Sequence, residues 1–164
     1  MSSAPRSAPE PERRTPGELI ALGSELESVF DRLARRQGNV TLVQFRVLDA
    51  LTAHDPEPLE PWEIAQQLTM GSNHVSMLLD QLASRGLVER RPHPHDRRRR
   101  LVQVTPVGRE TAVALGAHVA ALEERIMEAA LSPAERRQLA VVARNLRRAV
   151  AAMRIPDTHQ RPGP

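Results

Sequence analysis

A chain of 164 residues, 40% of them hydrophobic, suffices for one domain, or for a small domain with helical extensions, and excludes two full-sized ones. With two Phe, one Trp and no Tyr the core must be aliphatic and leans helical, and the absence of Cys excludes disulfides, thiolate metal ligands, a cysteine nucleophile and thiol redox sensing. All 23 basic residues are Arg and the net charge is +3, but residues 85–109 hold eight Arg against two acids while the rest is mildly acidic, the distribution a polyanion-binding surface requires.

Residues 1–14, with three prolines and no periodicity, read as a flexible tail. Thr15-Pro16-Gly17-Glu18 has capping-box spacing, and Leu19, Leu22, Leu26, Val29, Phe30 and Leu33 follow at helical intervals up to Gly38 and Asn39. Thr41 to Gln44 is a second capping box, opening a helix that buries Phe45, Val47, Leu48 and Leu51. The Pro-rich segment 54–60 is a connection, and Pro61 opens a short helix with Ile64, Ala65 and Leu68 inward. A turn of Thr69, Met70 and Gly71 leads to Ser72, expected as the next N-cap. Two short helices around so tight a turn match a helix-turn-helix.

In the segment from Ser72 to Arg85, Val75, Leu78, Leu79 and Leu82 fall on one helical face, leaving Asn73, Met77 and Asp80 opposite, with Ser76 on the flank. Gly86 stops the helix and Leu87-Val88 begins a strand; Leu101, Val102 and Val104 form a second. Pro92, Pro94 and Arg97 to Arg100 then occupy the tip between them, and proline is disfavoured inside a ladder. Thr105-Pro106 caps a helix to about Ala130, and Ser132 to Glu135 caps a last one carrying Leu139, Val142, Leu146, Val150 and Met153, before a polar tail at 156–164. The fold class is thus mostly α with a small β-wing. It comprises a winged helix-turn-helix over residues 40–105 and helical regions at 15–38 and 106–155, whose apolar stripes call for a second copy of the chain.

From Val40 to Glu110 the sequence resembles the MarR (multiple antibiotic resistance regulator) family of winged-helix transcription factors. The matching pieces are Leu42-x-Gln44-x-x-Val47-Leu48, Glu63-Ile-Ala-x-x-Leu68, Val75-Ser-x-Leu-Leu-Asp80-x-Leu82, Gly86-Leu-Val-x-Arg90, Asp96-Arg-Arg98 and Val102-x-Val-Thr105-x-x-Gly108-Arg109. Leu131-Ser-Pro-Ala-Glu135 also resembles the family's entry to its final helix. The resemblance implies a homodimer on a pseudo-palindromic double-stranded DNA operator, acting as a repressor relieved by a small-molecule effector. The alternative is a DNA-binding architectural or protein-interaction module without effector control.

Asn73, Ser76 and Met77 are then candidate base readers in the major groove, with Ser72 and His74 beside them. Arg98 matches the family's wing arginine, which the resemblance places in the minor groove with Asp96 as its positioning partner. Arg90, Arg91, Arg97 and Arg99 are expected phosphate anchors. Trp62, His54 and His118 are weaker candidates for a ligand site. His93, His95 and Asp96 supply too few ligands for a metal centre, and no metal or cofactor is expected. No nucleophile-base set or phosphate-cradling glycine loop suggests an enzyme. No apolar run approaches the roughly 18 residues of a membrane span, and the N-terminus lacks a basic-then-apolar leader, so a cytoplasmic protein is expected.

Overall fold

Aliphatic side chains spaced for helices and one short pair of strands produce the element order α1 (Glu10–Gly38), α2 (Leu42–His54), α3 (Pro61–Leu68), α4 (Ser72–Ser84), β1 (Val88–His93), β2 (Asp96–Val104), α5 (Pro106–Ala130) and α6 (Pro133–Ala152). The computed structural model describes residues 10–94 and 96–153, without the side chains of residues 10–16, 97 and 98. It has two compact units, one ending at Ala121 and the other beginning at Leu122. Among the described residues no helix is long and apolar enough to cross a membrane.

The first unit is built around Val47, Leu48, Leu51, Ile64, Val75, Leu79, Leu82, Val102 and Val104, each at most 3% exposed. Ala34 of α1 and Ala112 and Leu115 of α5 join this core, which ties both long helices to the lobe. A second tie is polar: the Leu42 amide donates to the Asp31 carboxylate at 2.9 Å. That hydrogen bond, followed by the Arg35 guanidinium, holds the Asp31 carboxyl below the usual aspartate range.

The caps follow the sequence in part. Thr41 and Gln44 form the expected reciprocal box at α2, as do Ser132 and Glu135 at α6. Gly86 stands at φ +69° past α4, as a helix-stopping glycine should. Two expectations need correction. Helix α1 begins at Glu10 rather than Thr15, with Pro11 in its first turn, where proline is tolerated; residues 1–9 and 154–164 lie outside the described part. Gly71, not Ser72, is the N-cap of α4, and no side chain caps it. The left-handed residue of the α3–α4 turn is Thr69 at φ 55°, ψ 47°, while Gly71 has an ordinary φ of −68°.

The wing is an antiparallel pair running from Val88 opposite Val104 to Pro92 opposite Arg100, with an irregularity between Pro92 and His93. The four arginines therefore belong to β2 itself rather than to a protruding tip. An edge strand accommodates Pro92, and the ladder absorbs it at the irregularity that follows. The connection after α2 also contributes to the sheet. Leu59 forms a bridge to Val102, its N–H donating at 2.9 Å and its carbonyl accepting at 2.7 Å. The second unit contains the end of α5 and helix α6, which has no buried residue; Arg136 closes on Glu124 at 2.9 Å.

Candidate nucleic-acid interface

Helix α4 buries Val75, Leu78, Leu79 and Leu82 and so turns Ser72, Asn73, His74, Ser76 and Met77 to solvent. Met77 is 50% exposed, an apolar side chain held in water on the face where a thymine methyl would be met. The N-terminal amides of α4 have no side-chain cap, which leaves them directed at any anion placed before Ser72. The face is fixed from behind. Gln44, 7% exposed, donates to Gln81 of α4 at 2.8 Å while its carbonyl oxygen accepts from the Thr41 amide at 3.0 Å.

The wing is joined to this helix by Arg90. Its guanidinium donates to the Ser76 carbonyl at 3.1 Å and pairs with Asp80 at 3.0 Å. Arg90, expected at phosphate, also sets β1 against α4. Arg91 is exposed on β1 and pairs with Glu89. The backbones of Arg97 and Arg98 lie in β2, but their side chains, and with them the minor-groove contact expected of Arg98, fall outside the described part, as does His95. Asp96 is half-buried at the start of β2.

Arg99 is engaged in the other direction. Its Nε donates to Glu60 Oε2 at 2.7 Å and a second guanidinium nitrogen pairs with Oε1. This two-pronged contact holds the Glu60 carboxyl below the usual glutamate range and raises Arg99, against the opposing effect of partial burial; the Trp62 hydrogen bond acts on Glu60 in the same direction. Glu60 carried no signal in the sequence, because its partner stands 39 positions away. Asp80 was visible on the outer face of α4 and within a family motif, but not as the partner of Arg90.

The three weaker ligand candidates are not brought together by their bonds. The His54 and His118 rings hydrogen-bond to carbonyls of their own helices, Ala50 at 2.9 Å and Ala114 at 2.8 Å. Trp62 stands at the start of α3, 52% exposed. None of them lines the open groove of about 320 Å³ between α1 and α2, whose walls include Ser24, Glu27, Asp31, Val43 and Arg46. Among the described residues no three His, Asp or Glu converge as metal ligands.

A reading helix with a free polar face, a tight turn before it and a basic two-stranded wing pinned to its flank define a winged-helix nucleic-acid-binding protein. Comparison with known proteins narrows the class. The sequence profile described as "MarR family" matches residues 39–99. The Multiple antibiotic resistance protein MarR of Salmonella typhimurium is 31% identical over 97 residues, 56% of this chain and 66% of that one. The chain thus spans a little under two thirds of the curated relatives it matches. Among solved structures, the PcaV transcriptional regulator of Streptomyces coelicolor, in complex with its natural ligand, is 26% identical, with a TM-score of 0.66 over 80% of this chain and 90% of PcaV. The S. aureus MepR–DNA complex shares the fold, with a TM-score of 0.73 at 23% identity over 80% of this chain and 94% of MepR. The chain belongs to the MarR family, a family of DNA-binding transcription regulators rather than enzymes.

Proposed function

We propose that the chain works as a homodimer that binds a pseudo-palindromic duplex operator and represses transcription until a small ligand releases it. The observation that carries DNA binding is the outer face of α4, where Asn73, Ser76 and Met77 stand in solvent beside an uncapped helix mouth. Asn pairs bidentately with adenine, and the free amides suit a phosphate. Arg98 would add a minor-groove contact from the wing.

Dimerisation is supported by α6. Leu139, Val142, Leu146, Val150 and Met153 are 42–71% exposed along one stripe, and with roughly half of each side chain in water, covering them would stabilise by about 1 kcal/mol apiece. The groove between α1 and α2 lies between a helix of the dimerisation region and one of the DNA-binding lobe, so a ligand there can bias their relative placement. Trp62, His54 and His118 remain candidates for further ligand contacts.

The test is an anisotropy titration on duplexes containing half-sites about one turn, roughly 10 bp, apart. Asn73→Ala should relax base preference more than it lowers non-specific binding, and Arg98→Ala should weaken binding while leaving the fold intact. Equal loss of specific and non-specific binding in the first variant would overturn the major-groove reading. Unchanged affinity in the second would overturn the wing assignment.

A further inference from the structure

We propose that Glu60 is an internal competitor for DNA phosphate, whose carboxylate holds Arg99 back so that this wing arginine adds nothing to sequence-independent attraction for DNA. The inference rests on the duplex-binding reading above.

Both oxygens of Glu60 face the Arg99 guanidinium, fork to fork. The two side chains are unequally placed: Glu60 is 12% exposed and Arg99 47%. Arg99 has room to turn outward, but doing so would strand an almost fully buried carboxylate without its cation, the costly half of breaking such a pair. Glu60 cannot follow it. Its amide donates to Glu63 Oε2 at 2.7 Å and its carbonyl accepts from the Glu63 and Ile64 amides at the mouth of α3. The preceding residue, Leu59, is paired by two backbone hydrogen bonds to Val102. The carboxylate is therefore a stationary intramolecular competitor for Arg99, and a phosphate must displace it.

The consequence concerns strength on every duplex alike. Phosphate contacts attract all duplexes alike, whereas the α4 face contacts base edges. Neutralising one wing cation from within lowers the uniform part of the affinity and leaves the sequence-dependent part untouched, so the ratio between right and wrong sites is kept while the chain holds less tightly to either.

The experiment measures binding of a random-sequence duplex by the full chain and by Glu60→Gln, Arg99→Gln and the double variant, over about 50 to 200 mM salt. Each phosphate contact contributes about −0.9 to the logarithmic salt slope, so one extra contact means roughly a threefold greater loss of affinity across that range. Glu60→Gln should steepen the slope by about that increment and tighten binding at low salt; Arg99→Gln should leave the slope of the parent unchanged, and the double variant should return to it. A slope flattened by about 0.9 in Arg99→Gln would show that Arg99 already contacts phosphate and would overturn the proposal even if Glu60→Gln fails to fold. An unchanged slope in folded Glu60→Gln would overturn it equally. A parent chain that binds no duplex would remove the duplex-binding reading itself, and the inference with it.

Discussion

Replacing Gly108 by Ala should loosen the joint between the wing and α5. A Cβ built at Gly108 would lie 1.9 Å from the Leu87 carbonyl oxygen, 2.9 Å from its carbon and 3.0 Å from Val104 Cγ2. A carbon and a carbonyl oxygen normally stay about 3.3 Å apart, so the backbones must separate by more than an ångström. The movement pulls on a compact set of bonds. Thr105 N–H donates to the Leu87 carbonyl at 3.1 Å, Thr105 Oγ1 donates to the Gly86 carbonyl at 2.7 Å, and the Gly108 amide donates to Thr105 Oγ1 at 3.0 Å. Losing two of these costs about 2 kcal/mol, and overpacking adds about 1–3 kcal/mol. Alanine recovers about 1 kcal/mol of helix propensity, leaving a net loss of about 2–4 kcal/mol. Urea unfolding at fixed protein concentration measures it through the midpoint at constant slope. Gly71→Ala is the control, since φ there is −68° and nothing lies within 4 Å of an added Cβ. A Gly108→Ala midpoint matching that of the parent would refute the close approach of α5 to the base of the wing.

Two further outcomes follow from single residues. Thr69→Gly should stabilise by about 0.5–1 kcal/mol, because the left-handed backbone at φ 55° costs a branched residue about 1–2 kcal/mol and glycine gives back part of that as chain entropy; a destabilised variant in the same urea assay would refute the strain. Asp31 has its carboxyl lowered by the Leu42 amide and then by Arg35, so its contribution is complete above the ordinary aspartate range near 3.9 and fades as the pH falls toward its own lower value. Asp31→Asn should therefore narrow the stability difference between pH 7 and acid, and an unchanged acid profile would refute the link between α1 and α2.

What the sequence made legible was periodic or local. Val75, Leu78, Leu79 and Leu82 repeat at helical spacing, and they are the buried face of α4; the Thr41 and Ser132 boxes span three residues and formed as expected. Illegible were features created when distant segments meet. Nothing local to Glu60 announces Arg99, and nothing in Arg90 reveals that its guanidinium lies across α4. The run of four arginines looked like a loop because Pro92 and Pro94 flank it, yet the ladder carries Pro92 opposite Arg100 before it shifts. The turn before α4 was legible as a turn, but not the residue that takes its left-handed backbone, which is Thr69.

The bridge between Leu59 and Val102 has a mechanical meaning. Together with the Arg90 contacts to Ser76 and Asp80, it fastens the wing on both flanks, to the mouth of α3 on one side and to α4 on the other. In kinematic terms, helix-turn-helix and wing form one link with no internal joint. The spacing between the outer face of α4 and the wing is then set within the lobe, like the gap of a fixed gauge, and on the proposed duplex binding it is the duplex that would bend to meet both.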